Sequence, residues 1–170
     1  SALSRYLSYV AVKRNRAVVV AGGNEGNAAH HYRQVLGPRG ATLQNSANVE
    51  VRVSEGCSGF FLELWGTVPD AFNVTIRSPG GESIPPIRIS VRQSITYGFV
   101  YERTRITVDS ELVEPASGDE LILFRIENPT PGIWNFLVEA VGDIYNGEFN
   151  MWLPISEFIN VPVYFLEPTP

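Results

Sequence analysis

Cysteine is nearly absent. The one thiol among 170 residues, Cys57, excludes an internal disulfide, and with only His30 and His31 as companions it excludes a Cys/His zinc cage. Cys57 lies between Gly56 and Ser58 with no histidine nearby in sequence, and reads as a small structural residue. Charge is sparse at 18% of residues and slightly negative: Lys+Arg 13 against Asp+Glu 18 gives −5, so no basic footprint exists for a phosphate backbone and nucleic acid is not an expected partner. No apolar run approaches the roughly 18–20 residues that span a bilayer, and the N-terminus lacks a signal-peptide pattern. The sequence reads as soluble, with its compartment unspecified. The 44% hydrophobic content that is present suits the core of one globular domain.

Leu3, Tyr6, Leu7, Val10 and Ala11 recur at the spacing of one apolar helix stripe, with Lys13 and Arg14 in the last turn, where they suit the helix dipole. Ala17 to Ala21 is a continuous run rich in β-branched valine, the texture of a strand covered on both faces in a parallel sheet. Such a helix and strand are half of an α/β unit, and the rest of the chain supplies no parallel neighbours. The expectation is that this segment docks on the rest of the chain or associates with a second copy.

From about residue 41 the pattern changes to short alternating runs: 49–53, 59–65, 72–77, 87–91, 95–101, 104–108, 121–126, 134–141 and 148–153. Turn formers separate them, among them Ser78-Pro79-Gly80-Gly81, Asn128-Pro129-Thr130-Pro131-Gly132 and Asn146-Gly147. By parity Phe60, Leu62 and Leu64 share one face of their strand, and Phe61, Glu63 and Trp65 the other. Eight or nine short antiparallel strands predict a mainly β fold, a jelly-roll sandwich preceded by one helix and one strand of an incomplete α/β domain. Residues 158–166 are predicted to be extended before the proline-rich end.

The sharpest local signal is Gly22-Gly23-Asn24-Glu25-Gly26, directly after the hydrophobic run. Two glycines permit close approach of a substrate backbone, and an asparagine amide can donate to a negative oxygen developing on a tetrahedral carbon, which an aspartate would repel. The other reading is a glycine-rich turn with asparagine in a left-handed position.

The stretch Val18 to Gly26, preceded by a helix, resembles the oxyanion-asparagine segment of subtilisin-family serine proteases, usually Ala-Ala-Gly-Asn-Glu-Gly, and Asn27 to Tyr32 resembles the clostridial branch of that family. Members of that branch carry a jelly-roll insert just after this segment. The resemblance implies residues 1–40 as protease core, 41–156 as insert and 157–170 as the return to the core. It implies Asn24 as the side-chain donor of the oxyanion hole, Gly22 and Gly23 as lining of the substrate pocket and Glu25 at its rim. Gly22 stands where the family usually has alanine.

The family's catalytic strings are missing: no Asp precedes Ser/Thr-Gly, no His precedes Gly-Thr/Ser, and no Gly-Thr/Ser-Ser occurs. This implies an interior segment of a longer enzyme, inactive alone, that needs no redox cofactor or metal and meets its peptide or protein substrate only with the remainder of the catalytic domain. His30 and His31 are read as structural.

The stretch 128–138 followed by 146–153 also resembles the closing strands of the P domain of kexin-like and furin-like subtilases, which implies that Trp134 and Trp152 fill one end of the core. Trp65 is read as core too. Asn73-Val74-Thr75 fits a glycosylation sequon that a bacterial chain rarely uses, and Asp109, Glu111, Glu114, Asp119 and Glu120 read as solvated charge rather than a calcium loop. Two alternatives stay open: a free-standing β-sandwich module binding carbohydrate or protein, and a segment of a pseudoprotease.

Overall fold

The computed structural model describes residues 7, 9–12, 16–19, 25–37, 45–88, 92–115 and 117–169. Leu7 and residues 9–12 are helical, in keeping with the apolar stripe. Ala17, Val18 and Val19 are in no strand, and Val19 is 93% exposed; the remainder of the expected strand, residues 20–21, lies outside the described residues. A hydrophobic strand needs neighbours to pair its backbone, and none of the described residues pairs with this one.

Among the described residues ten strands form two antiparallel sheets. They are β1 (His31–Val35), β2 (Ser46–Val53), β3 (Gly59–Gly66), β4 (Phe72–Arg77), β5 (Gln93–Gly98), β6 (Arg105–Glu111), β7 (Glu120–Glu127), β8 (Gly132–Ala140), β9 (Glu148–Trp152) and β10 (Val163–Phe165). One sheet runs β1-β9-β3-β7-β6-β5 and the other β10-β2-β8-β4, so the chain passes repeatedly from one layer to the other, as in a jelly roll. Alternation drives this. Val49, Val51 and Val53 of β2, Phe60, Leu62 and Leu64 of β3, and Phe136 and Val138 of β8 are fully or nearly fully buried. Each such side chain contributes about 1.5–3 kcal/mol on leaving water. Phe124 of β7 meets Phe136 of β8 edge-on, with ring centroids 5.7 Å apart, which ties one sheet to the other.

The strand expected over 87–91 is reduced to a single bridge from Ile87 to Val74, with residues 89–91 outside the described set. Ile84 and Ile87 are buried there, and with the Ser83–Arg77 bridge they cover the edge of β4. Two tryptophans depart from expectation. Trp134 is 1% exposed and donates its indole N–H to the Thr130 carbonyl at 2.9 Å. Trp152 is 43% exposed and Trp65 is only partly buried, because both alternate with inward residues, Met151 in β9 and Leu64 in β3. Parity, not hydrophobicity, decides the face.

β1 has no counterpart in the expected strand set. It pairs with β9 along its length, from His31 opposite Trp152 to Val35 opposite Glu148. Its outer edge is closed by the end of the chain: Thr169 donates its N–H to the His31 carbonyl, and Arg33 donates its N–H to Thr169 Oγ1, both at 2.9 Å. Phe165 donates to the Ala29 carbonyl at 2.9 Å, so Ala29 is tied to β10 while His31 and Arg33 are held between β9 and Thr169.

Candidate functional site

Asn24, Gly22 and Gly23 lie outside the described residues. Glu25 is the one expected site residue that the structure describes, and it starts a tight turn: the Ala28 N–H donates to the Glu25 carbonyl at 2.9 Å. Ala29 then adopts a positive φ of 56°, which redirects the chain into β1. The Glu25 carboxylate does not point into open solvent. The Ser156 N–H donates to both of its oxygens, at 2.9 and 3.0 Å, and His30 Nδ1 lies 3.2 Å from Oε2. The Ser156 amide, helped by His30 against a small burial penalty, holds the Glu25 carboxyl below its ordinary range.

Ser156 opens the 3-10 turn Ser156–Phe158 that follows β9. Beside it is a cleft of about 350 Å³ lined by Ala28, His30, Ile159, Val161 and Tyr164. The turn after the candidate donor and the segment leaving the sandwich are therefore built against each other.

His31 has a structural environment. Its ring stacks on Trp152 with centroids 3.8 Å apart, and its nitrogens contact the Thr169 carbonyl at 3.2 Å and Asn150 Oδ1 at 3.0 Å. Arg33 grips Glu148 with two hydrogen bonds of 2.9 and 2.8 Å, and Asn150 extends the chain of contacts to Glu148. Cys57 is buried, and burial pushes its thiol up, away from the reactive thiolate.

The five carboxylates between 109 and 120 do not act as one group. Asp109 is engaged by Arg125 and Ser94, and Glu114 accepts the Ser117 N–H at 2.8 Å. Glu120 departs from the expectation of solvated charge: it is fully buried at an inward position of β7, with its carboxyl raised to about 8 by burial. Among the described residues no His/Cys/Asp/Glu group has the arrangement of a metal site. Asp70 is a further buried acid that sequence reading passes over; it accepts backbone N–H groups of Tyr145, Asn146 and Gly147. Its only sequence signal is a lone charge between Pro69 and Ala71, ahead of a hydrophobic run.

These features define an antiparallel sandwich that anchors, at one end, the turn following a glycine-asparagine segment. No family model and no curated protein matches the chain. Among solved structures it is similar to the CspB protease of Clostridium perfringens, at 28% identity and a TM-score of 0.76, over 99% of this chain and 34% of that one. The chain thus spans about a third of that protein's length, and its fold is protease-related. Among the described residues no helix is long and apolar enough to cross a membrane.

Proposed function

We propose that this chain is an interior segment of a subtilisin-like serine endopeptidase. Asn24 is the side-chain donor to the oxyanion of the tetrahedral intermediate, Gly22 and Gly23 line the substrate pocket, and Glu25 stands beside its rim. The remainder of the catalytic domain supplies serine, histidine and aspartate for acyl transfer. The sandwich braces that domain. The observation that carries this reading is the near-complete alignment of the chain with part of a protease.

The test is to obtain the sequences flanking Ser1 and Pro170 and express the longer protein. Asn24→Ala is then expected to lower kcat about 10²–10³-fold with KM little changed, the loss known for the equivalent donor of subtilisin itself. Unchanged turnover overturns the reading, as does a flanking sequence without the three catalytic motifs. In this proposal the 170-residue chain alone does not cleave peptides. Its N-terminal helix and the valine-rich run after it meet the rest of the protease or a second copy, supported by the exposure of Val12 and Val19, at 86% and 93%.

One observation favours a second reading, a carbohydrate-binding sandwich. Phe61, Trp152 and Phe158 are exposed, at 50%, 43% and 75%, around a cleft of about 470 Å³. Calorimetric titration with soluble glycans separates the two readings, because the protease reading expects no heat of binding.

A further inference from the structure

We propose that the free edge of β5 is a self-association site, at which a second copy of the chain pairs antiparallel about a two-fold axis through Thr96 and joins the two six-stranded sheets. The proposal is independent of the reading of Asn24 and of the N-terminal segment.

The first observation is that the other sheet edges are closed. β1 is covered by Thr169, whose N–H donates to His31 and whose hydroxyl accepts from Arg33. β4 is bridged at Val74 by Ile87 and at Arg77 by Ser83. β10 has only 3 residues, and its Phe165 N–H is taken by Ala29. β5 pairs with β6 alone among the described residues, and its sequence Gln93-Ser94-Ile95-Thr96-Tyr97-Gly98 holds no charge and no proline to deter another strand.

The second observation is the direction of the backbone groups. The Phe99 N–H donates to the Thr104 carbonyl at 3.1 Å, continuing the register in which Gly98 lies opposite Arg105. Along an antiparallel strand these groups alternate in direction, so Gln93, Ile95 and Tyr97 face β6, while Ser94, Thr96 and Gly98 turn both N–H and C=O outward. Val100, next in the outward series, donates its N–H to Glu82 Oε1 at 2.8 Å. Glu82 therefore ends the ladder and leaves Ser94, Thr96 and Gly98 open.

These open residues are symmetric about Thr96. A two-fold copy sets Thr96 opposite the partner's Thr96 and Ser94 opposite the partner's Gly98, each pair exchanging both of its N–H···O bonds. The same register brings Ile95 opposite the partner's Tyr97. Both side chains are half-buried on the core side of β5, next to the buried Val108 and Ile106 of β6. A β-branched residue facing an aromatic one is a stabilising cross-strand pair, as is threonine facing threonine.

Charge fits the same register. Arg92 is exposed and has no ion pair among the described residues. It falls opposite the partner's Val100, beside the carboxylate of the partner's Glu82 that holds that N–H. An arginine and a glutamate thus close each end of the joint, and no like charges meet along it. A single pair of strands buries less than the roughly 1,200 Å² of stable complexes, so the association is weak, with a Kd of about 0.1–1 mM.

Sedimentation velocity of the 170-residue chain between about 10 µM and 1 mM tests this, and the sedimentation coefficient is expected to rise with concentration toward that of a dimer. Thr96→Lys and Thr96→Glu each place like charges opposite one another across the axis. Each variant alone is expected to stay monomeric, and a one-to-one mixture to recover the association, because unlike charges then meet. Thr96 is exposed, with one side-chain contact to the Thr107 hydroxyl, so both variants are expected to melt within about 2 °C of wild type. Where half the chains are paired, hydrogen exchange is expected to slow about two-fold at the Ser94, Thr96 and Gly98 amides and to stay unchanged at Ile95 and Tyr97, which already face β6.

A chain that is monomeric throughout the range overturns the proposal. So does association that survives either single variant, as a contact through the exposed Val12 and Val19 would. A mixture of the two variants that remains monomeric overturns the two-fold register, and with it the interface.

Discussion

Asp70 and Gly147, 77 positions apart, are joined by a 2.6 Å hydrogen bond from the glycine amide to a carboxylate that is 2% exposed. The same carboxylate accepts the amides of Tyr145 and Asn146 at 2.7 Å, so one side chain organises the turn that delivers the chain into β9. β9 in turn is the partner of both β1 and β3. A buried acid ahead of β4 therefore governs the entry to β9, where Glu148 pairs with Val35, at the opposite end of the β1–β9 pair from the Glu25 turn.

Asp70→Asn is expected to destabilise the chain by about 2–3 kcal/mol, because the replacement loses the charge and turns an amide donor toward backbone donors. Burial pushes the Asp70 carboxyl up, but its three backbone donors prevail and leave it below the ordinary value. Its stabilisation is thus present above the ordinary aspartate range and is lost as pH falls through the lower folded value. Urea midpoints measured from neutral pH into acid check both the size and the direction, and a variant that unfolds at the wild-type midpoint rules the staple out.

Gly147→Ala is expected to cost several kcal/mol or to abolish folding. Gly147 has φ +69°, where an L side chain is strained, and a methyl group there runs into the Leu36 carbonyl and Ile144. The Leu36 amide also donates to the Gly147 carbonyl at 2.7 Å, so the backbone cannot retreat without breaking the entry to β9. Circular dichroism melting of the variant measures the effect; a melting temperature within a degree or two of wild type contradicts it.

Glu120 makes stability fall with rising pH. It faces Gly66 across the β3–β7 pair, neither oxygen has a well-formed hydrogen bond, and the nearby Phe72 amide only partly offsets burial. The folded chain therefore keeps a proton that the unfolded chain releases. Stability is fully present below the ordinary glutamate value of 4.5, declines as pH rises toward about 8, and levels off above it. The decline amounts to a few kcal/mol. Glu120→Gln is expected to remove it, which denaturant midpoints at pH 5, 7 and 9 will reveal.

His31→Ala is expected to release the end of the chain while sparing the core. The substitution removes the stack on Trp152 and both polar contacts of the ring, a loss of about 1–2 kcal/mol for a partly exposed site. Hydrogen exchange is expected to speed up at the Thr169 and Arg33 amides, with Val51 and Leu62 unaffected. Equal acceleration at all four positions contradicts a local role.

Much of the sandwich was legible because strand parity is written locally. Phe72–Arg77 was read to the residue, and β2, β3, β6, β7, β8 and β9 to within a few residues at each end, since inward Val, Phe, Leu and Ile alternate with outward residues and turn formers separate the runs. β1 was not legible. His31-Tyr32-Arg33-Gln34-Val35 has one well-buried side chain, Tyr32, and becomes a strand only because β9 and the chain end supply hydrogen bonds on both sides. The faces of Trp65 and Trp152 were misjudged for a related reason: residue type suggested the core, whereas register with the neighbouring strands placed both indoles outward.

The candidate site divides in the same way. Sequence alone determined that a glycine pair and an asparagine amide follow a hydrophobic run, and that the catalytic triad strings are absent, because both are facts of composition and order. It also determined the two-layer β architecture, because alternation has a period that burial must respect. Only the tertiary structure decided that Glu25 faces Ser156 and His30, that Asp70 gathers the turn at 145–147, and that Glu120 lies inside. Each of these depends on residues brought together from distant parts of the chain, and a polar side chain carries no mark of its partner until the fold removes the water around it.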